Sequence, residues 1–123
     1  MDEKSKRNGT VLVVDDEQRI LRFLNISLKA SGYRVITAET GEKALDLARL
    51  DKPDIVVLDV FLPGMDGFKV LQKLRTFSQA PVIMTSARDS LGSNAMDQGA
   101  TDFLAKPFRP EQLVQRIKDI LCK

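Results

Sequence analysis

Five short apolar runs alternate along the chain with segments whose apolar residues recur at helical spacing. The runs predict strands at residues 10–14, 34–38, 55–58, 82–84 and 103–105. The segments between them predict helices around residues 20–28, at 41–50, from near 66, at 89–98 and from 110 onward. Strict alternation with short connections forces parallel pairing and right-handed crossovers. We therefore predict an α/β fold, a doubly wound five-stranded parallel sheet, (βα)5, with strand order 2-1-3-4-5.

The pattern also predicts where the folded domain begins. Residues 1–9 are charged and carry no apolar side chain after Met1, which predicts a disordered tail at 1–9 and one domain over 10–123. No apolar run approaches the roughly twenty residues of a membrane span, and the tail lacks the hydrophobic segment of a signal peptide. We therefore expect a cytoplasmic protein.

Charge and cysteine content narrow the classes of function. The 19 basic and 17 acidic residues leave a formal charge of +2, and the basic residues are dispersed along the chain. This balance argues against direct binding of nucleic acid by this chain. The single cysteine, Cys122, excludes an internal disulfide, and its place beside the C-terminus is typical of an exposed thiol without a catalytic role.

Polar residues of the kind used in phosphoryl chemistry follow four of the five predicted strands. They are Asp15 and Asp16, Asp59, Ser86 and Lys106. Each alone has an ordinary interpretation, as a helix cap, a turn residue or a surface amine. In an open parallel sheet, however, all strand carboxyl ends lie along one edge, where ligands bind at the point at which strand order reverses. Their joint placement therefore predicts a site at this edge.

The predicted strand order places the three carboxylates together, because the first and third strands are neighbours. Clustered carboxylates raise each other's proton affinity unless a cation is present. Hard oxygen ligands of this kind suit Mg²⁺, which keeps several waters that a phosphate can replace. We therefore expect Mg²⁺ near Asp15, Asp16 and Asp59.

The segment at 89–98 is the weakest predicted helix. Ser90, Gly92, Ser93 and Asn94 have poor helix propensity, and few apolar residues anchor it. We expect it to be the most mobile element of the fold.

Four stretches of the sequence are similar to the receiver domain of two-component response regulators. They are VLVVDDE (11–17), PDIVVLDVFLPGMDGF (53–68), PVIMTSARD (81–89) and GATDFLAKPF (99–108), and the resemblance spans residues 10–121. It implies that Asp59 is the phosphoacceptor, which takes a phosphoryl group from a phosphohistidine of a sensor histidine kinase or phosphotransfer protein. It also implies that Asp16, Asp59 and the backbone carbonyl of Phe61 bind Mg²⁺ directly, while Asp15 assists through water.

The resemblance assigns roles to the remaining site residues as well. It implies that Lys106 pairs with the phosphoryl oxygens, and that Ser86 moves to bind one of them beside the amide of Ala87. Phe103 would be the aromatic switch that follows Ser86, and the Lys106–Pro107 peptide would be cis. A charged group added at Asp59 would bias the weak helix at 89–98 and change the face formed by the last two helices and the fifth strand.

The chain's own chemistry agrees with an acceptor role. It contains no histidine, so it cannot itself be the histidine kinase or a histidine phosphotransfer domain. Phosphoryl transfer depends mainly on alignment and on neutralisation of charge, which a carboxylate, Mg²⁺ and a lysine supply. We further hypothesise that bulky Phe61 and Arg88, beside the site, hinder the hydrolytic water and prolong the phosphorylated state.

A partner surface is suggested by charges near the C-terminus. In receivers attached to winged-helix DNA-binding domains, the last two helices and the fifth strand form a symmetric dimer through charge pairs. Asp97 with Lys118 and Asp102 with Arg116 match part of that pattern, whereas Thr101 and Gln112 do not. The alternative is an ordinary solvated face, because exposed ion pairs are worth only about 0–1 kcal/mol each.

Three other functions remain open at the level of sequence. A flavodoxin-like FMN protein has the same topology, but it needs a phosphate loop after the first strand where this chain has Asp-Asp-Glu. A Mg²⁺-dependent aspartyl phosphohydrolase needs an acidic general acid/base near the nucleophile, and Asp59 is followed by Val60 and Phe61. A receiver would instead show only slow self-dephosphorylation. The third alternative is a receiver-like interaction module that is not phosphorylated.

Overall fold

The computed structural model describes residues 8–122, which form one parallel sheet with helices on both faces. The strands are β1 (Thr10–Val14), β2 (Arg34–Ala38), β3 (Ile55–Asp59), β4 (Val82–Ser86) and β5 (Asp102–Ala105). The helices are α1 (Gln18–Ala30), α2 (Gly41–Asp51), α3 (Gly67–Leu74), α4 (Gly92–Asp97) and α5 (Pro110–Leu121), and a 3₁₀ turn spans Asp89–Leu91. The strand order is β2-β1-β3-β4-β5 and every pair is parallel, which confirms the predicted fold.

The sheet separates two apolar layers because successive side chains of a strand point to opposite faces. Val11 and Val13 of β1 pack in one layer, against residues of α1 and α5 such as Leu28 and Ile117. Leu12 packs in the other layer, which receives side chains from α2, α3 and α4. All residues of β3 and β4 are buried. The continuous apolar runs therefore correspond to central strands covered on both faces, as parallel sheets require.

Two strands extend past the C-terminal end of their apolar runs, and β5 begins one residue before its run, at Asp102. β3 continues through Asp59 and β4 through Ser86, because the backbone ladder extends past the last apolar side chain. Asp59 lies opposite Thr85, and Ser86 lies opposite Ala105. The candidate site residues at these positions are therefore held by the sheet itself rather than by a loop.

The weak helix predicted at 89–98 is two elements. A 3₁₀ turn at Asp89–Leu91 precedes α4, which has six residues. Neither element has a side-chain cap, and Ala95 is the one buried residue of α4. Poor helix propensity and missing caps explain why the segment does not form a single regular helix.

The start of the fold lies slightly earlier than predicted from composition. Asn8 and Gly9, which we assigned to the tail, are hydrogen-bonded to the connection between α1 and β2. The amide of Asn8 donates to the carbonyl of Gly32 (3.0 Å), and the amide of Arg34 donates to the carbonyl of Gly9 (2.9 Å). The rest of the predicted tail, residues 1–7, lies outside the described residues. Between residues 8 and 122, no helix has the length and hydrophobicity to cross a bilayer.

Candidate functional site

Three carboxylates meet where β1 and β3 end side by side. Asp15 follows β1, Asp16 is next to it, and Asp59 is the last residue of β3. One carboxylate oxygen from each lies within 4.8 Å of the other two. Asp15 and Asp59 are 3% and 5% exposed, whereas Asp16 faces solvent. The cluster therefore forms a pocket that is walled by the sheet and open on one side.

Backbone amides orient the two buried carboxylates. The amide of Glu17 donates to Oδ1 of Asp15 (2.9 Å), and the amide of Phe61 donates to Oδ1 of Asp59 (3.4 Å). Asp15 therefore also serves the turn that leads into α1, but neither Asp15 nor Asp16 caps this helix, whose N-cap is Glu17 without a side-chain cap bond. In each case Oδ2 is left to face the centre of the pocket, where it meets Lys106.

Lys106 bridges the two buried carboxylates from the end of β5. Its Nζ lies 2.9 Å from Oδ2 of Asp15 and 3.3 Å from Oδ2 of Asp59. The amide of Lys106 donates to the carbonyl of Ser86 (2.8 Å), which fixes the start of the loop after β5. The Lys106–Pro107 peptide is cis. Residues 91 positions apart in sequence are thus brought into direct contact.

The pocket carries an unbalanced negative charge that affects its ionisable groups. Burial raises the pKa of Asp59, and the charge of Asp15 adds to this effect while Lys106 opposes it. Burial alone would lower the pKa of Lys106, but the hydrogen bond to Asp15 and the charges of both carboxylates outweigh burial and raise it. Three carboxylates face one ammonium, so two negative charges remain unpaired. Such a site favours a bound cation.

The donor set of this pocket fits Mg²⁺. Its oxygen atoms are hard ligands, and the exposed position of Asp16 leaves room for the waters that Mg²⁺ retains. The described residues contain no histidine or cysteine in the cluster, which argues against a softer transition metal. Asp15, Asp16 and Asp59 are the side chains that could hold the ion.

Ser86 and Phe103, to which the resemblance assigns the switch, lie on β4 and β5 and take no part in the contacts between Lys106 and the carboxylates. Ser86 is fully buried, and its Oγ accepts a hydrogen bond from the amide of Arg88 (3.1 Å). Ala87 is exposed next to it. Phe103 is half-buried and packs on the same side of the sheet as α4. The hydroxyl of Ser86 therefore belongs to the β4–α4 loop in this structure.

Phe61 and Arg88 form the rim of the site. Phe61 is 52% exposed, and the guanidinium carbon of Arg88 lies 5.7 Å from the centre of its ring. This cation–π contact joins the loop after β3 to the loop after β4. The two side chains that we hypothesised to hinder water are therefore in mutual contact.

One residue that supports the site was not singled out from the sequence. Gly67 begins α3, and its amide donates to the carbonyl of Val60 (2.7 Å). A Cβ at this position would lie 2.3 Å from the backbone oxygen of Asp59. Only glycine therefore allows α3 to start so close to the end of β3. The signal in the sequence was the glycine after the Asp66 helix cap.

An apolar cavity of about 380 Å³ adjoins the pocket. It lies between α1 and the loop after β5, and Lys106 and Ala87 form the part of its wall nearest the carboxylates. Phe23 of α1, which is 55% exposed, also lines it. Lys106 therefore contacts the carboxylates and also lines an apolar cavity.

Of the two charge pairs predicted for the partner surface, one is formed within the chain and the other is not among the ion pairs of residues 8–122. Arg116 Nη1 lies 2.8 Å from Oδ2 of Asp102 in the same chain and also donates to the carbonyl of Phe103 (3.3 Å). Asp97 and Lys118 are exposed, and no ion pair between residues 8 and 122 involves either of them. Cys122 is an exposed free thiol.

A doubly wound parallel sheet with carboxylates and a lysine at its switch point is suited to handling phosphoryl groups, and comparison with known proteins identifies the family. Residues 11–118 match the family model of the response regulator receiver domain. The chain therefore belongs to the response regulator receiver family.

Curated relatives and solved structures agree with this assignment. The chain is 44% identical over 117 residues to the alkaline phosphatase synthesis transcriptional regulatory protein PhoP of Bacillus subtilis, a match covering 93% of this chain and 49% of that protein. It is 47% identical over 110 residues to the transcriptional regulatory protein KdpE of Mycobacterium tuberculosis, covering 88% and 49%. The chemotaxis response regulator CheY4 of Vibrio cholerae superposes with a TM-score of 0.85 at 33% identity, covering 90% of this chain and 97% of that one.

These comparisons decide the broad function. The chain is a receiver domain of two-component response regulators, and such domains interact with histidine kinases or phosphotransfer partners. Receiver domains are signalling domains rather than enzymes. The FMN-protein and phosphohydrolase alternatives are not favoured. The chain spans about half the length of the curated relatives it matches.

Proposed function

We propose that Asp59 accepts a phosphoryl group from a phosphohistidine of a partner protein and that the new charge switches the face formed by α4, β5 and α5. The observation that carries this proposal is the contact of Lys106 with both buried carboxylates, with Asp16 open to solvent beside them. The pocket combines an oriented nucleophile with a fixed cation, as phosphoryl transfer requires.

The transfer step follows from the position of Asp59. Its carboxylate oxygen forms a bond to phosphorus while the P–N bond to the donor imidazole breaks, and the electron pair stays on the imidazole nitrogen. The amide of Phe61 holds Oδ1, so Asp59 keeps one orientation toward the incoming group. Lys106, already 3.3 Å from Oδ2, is in place to neutralise charge on the phosphoryl oxygens.

We propose that the site also binds Mg²⁺, because Lys106 balances only one of its three carboxylates. Asp16 and Asp59, with the backbone carbonyl of Phe61, would hold the ion, and Asp15 would assist through water. When bound, Mg²⁺ neutralises the transferred group and the carboxylates around it. The two unpaired negative charges of the pocket support this requirement.

The response of the domain would begin at Ser86. Its Oγ now accepts from the amide of Arg88, and turning toward a phosphoryl oxygen would release that amide. Phe103 on the neighbouring strand would follow, and α4, with one buried residue, offers little resistance. We propose that slow self-dephosphorylation ends this state: water forms a bond to phosphorus as the bond to the Asp59 oxygen breaks, which releases inorganic phosphate and restores the carboxylate. We propose a phosphorylation-dependent dimer through Asp97, Asp102, Arg116 and Lys118 as one output. A cytoplasmic location stays a prediction.

The test is incubation with acetyl phosphate and Mg²⁺, followed by mass mapping of any adduct, beside Asp59→Asn. The phosphoryl group passes to Asp59 as the bond to acetate breaks. We expect a Mg²⁺-dependent adduct on Asp59 that is lost in the variant and in excess chelator. If no adduct forms although Mg²⁺ binds, the protein is a receiver-like module that works without phosphorylation.

A further inference from the structure

The two ends of α4 are held very differently. At the C-terminal end, the backbone returns to the sheet through a pair of hydrogen bonds. The amide of Thr101 donates to the carbonyl of Val82 (2.8 Å), and the amide of Val82 donates to Oγ1 of Thr101 (3.1 Å). This reciprocal pair fixes the turn after α4 to the first residue of β4, a fully buried strand.

Arg75 adds a second attachment at the same end. Its Nη1 donates to the carbonyl of Ala80 (2.7 Å), and its Nη2 donates to the carbonyl of Gly99 (3.3 Å). The side chain thus ties the α3–β4 loop to the turn after α4. It makes no ion pair within residues 8–122, and burial lowers its pKa. A planar guanidinium can serve two separate carbonyls at once, which an ammonium on a single stem cannot.

The N-terminal end of α4 has no comparable attachment. Neither the 3₁₀ turn nor α4 has a side-chain cap, and residues 87–90 are exposed. The contacts at this end are apolar: Leu91 is half-buried against the core, and a Cβ at Gly92 would lie 3.2 Å from the ring of Phe103. This end is also the one that Ser86 reaches through the β4–α4 loop.

We infer that α4 pivots about its C-terminal end, and that Arg75 is the residue that positions the pivot. This inference rests on the proposed phosphorylation of Asp59 and specifies its regulation. A change at Ser86 and Phe103 enters at the free end and is absorbed by tilting of residues 89–93. Ala95 is buried, and its carbonyl accepts from the amides of Gln98 and Ala100. Gly99 keeps its bond to Arg75 and Thr101 keeps its bonds to Val82, so the displacement decreases along the helix.

The experiment measures amide hydrogen exchange residue by residue, with and without acetyl phosphate and Mg²⁺, after intact mass has shown the adduct. We expect exchange at 89–93 to change by about three- to tenfold, the factor that corresponds to one hydrogen bond gained or lost. At 98–101 we expect a change below about twofold. A uniform change along the segment, or a larger change at 98–101, would overturn the pivot.

Arg75→Lys tests the anchor, because lysine keeps the charge and can still reach one carbonyl but cannot join Ala80 to Gly99. We expect the adduct on Asp59 to form as in the unchanged protein, while the phosphorylation-dependent change extends to 98–101. In the unphosphorylated state, exchange at 98–101 should already rise by about three- to tenfold. Lys73→Ala removes a charge from an exposed position of the same helix and should leave both profiles unchanged.

The remaining outcomes each have a defined meaning. If Arg75→Lys keeps the graded profile, Arg75 is not the anchor. If the variant is destabilised throughout, all amides shift together, and the difference between the two phosphorylation states still reports the gradient. Thr101→Val, which removes the hydroxyl that accepts from Val82, is the second variant and should also extend the change to 98–101. Absence of the adduct would defeat the proposed function, and the pivot with it.

Discussion

At the scale of single residues, Asp59 is placed for chemistry at a cost to stability. Burial and the neighbouring Asp15 disfavour its charge, and the ion pair with Lys106 offsets only part of this effect. We therefore expect Asp59→Asn to unfold at a higher temperature than the unchanged protein at pH 7 in chelator. The gain should be about 0.5–2 kcal/mol, a few degrees in Tm for a domain of this size. Calorimetry without Mg²⁺ is the measurement.

The pH dependence of this effect follows from the direction of the pKa shift. Because the pKa of Asp59 is raised in the folded protein, protonation of this side chain stabilises the fold. This stabilisation is complete below the ordinary pKa of 3.8. It is lost as the pH rises through the pKa of Asp59 in the folded state. The advantage of Asp59→Asn should therefore grow from acid to neutral pH. Added Mg²⁺ should stabilise the unchanged protein more than the variant.

Glu42→Gln, which neutralises an exposed carboxylate outside the site, is the control and should change the free energy of unfolding by less than about 0.5 kcal/mol. A gain in Glu42→Gln equal to that in Asp59→Asn would contradict a cause specific to the site.

The rim residue Phe61 is predicted to set how long the phosphorylated state lasts. Its amide donates to Asp59 and its ring contacts Arg88, so we expect that removing the ring admits water to the phosphoryl group. We expect Phe61→Ala to shorten the lifetime by about three- to tenfold, which corresponds to at most about 1.4 kcal/mol of barrier. The measurement follows loss of the adduct after acetyl phosphate is removed.

The chain offers a matched control for this prediction. Arg49 lies 4.4 Å from the ring of Phe77, a second exposed arginine–phenylalanine contact that joins α2 to the turn after α3. Phe77→Ala removes an equivalent contact away from the pocket and should leave the lifetime unchanged. Equal lifetimes in Phe61→Ala and the unchanged protein would show that the rim does not restrict water.

Individual site residues differ in how far sequence alone could place them. Asp15, Asp59 and Lys106 follow strands, so alternation of strand and helix was enough to predict that they converge. The role of Gly67 depends on a 2.3 Å approach to the oxygen of Asp59, and no periodicity encodes a distance. Arg75 looks like a surface residue of an amphipathic helix until its carbonyl partners, up to 24 positions away, are known.

At the scale of elements, the segment from Asp89 to Asp97 combines poor propensity with little packing. Its 3₁₀ turn has no buried residue, and α4 buries Ala95. We expect its amides to exchange fastest among the helices of the unphosphorylated protein, because local opening there exposes little apolar surface. Hydrogen exchange resolved by helix is the test, with α5, which buries Leu113 and Ile117, as the internal reference. Equal protection of both helices would exclude α4 as the weak element.

The ends of helices and strands were predictable where the sequence changes from apolar to polar or turn-forming residues. They were not predictable where backbone hydrogen bonding sets the end. α2 ends at Asp51, one residue past the predicted end at 50, and is followed by Lys52 in the left-handed conformation (φ 46°) and by Pro53. β4, in contrast, runs two residues past its apolar run because Ser86 pairs with β5. The segment at 89–98 divides into a 3₁₀ turn and a short helix because neither element has a side-chain cap. Helix propensity summed over the segment does not predict such a division.

At the scale of the whole molecule, the topology was predictable because alternation leaves few alternatives. Five strands in parallel register need helices on both faces, and the two apolar layers follow from that requirement. The partner surface was not predictable in the same way, because it depends on a second molecule. Within one chain, Arg116 is already engaged by Asp102, while Asp97 of α4 and Lys118 of α5 are exposed.

Because Asp97 and Lys118 form no ion pair within residues 8–122, reversing their charges tests the proposed dimer. In a two-fold interface each contact occurs twice, so Asp97 of one copy facing Lys118 of the other would count twice. Asp97→Lys or Lys118→Asp alone should weaken the acetyl phosphate-dependent dimer by about 1–2 kcal/mol, up to about thirtyfold. The double reversal should restore it, since the pair is re-formed with exchanged signs. Sedimentation with acetyl phosphate and Mg²⁺ measures the constant, and Lys69→Asp on α3 controls for net charge. A double variant as weak as the singles would mean that these two residues do not face each other.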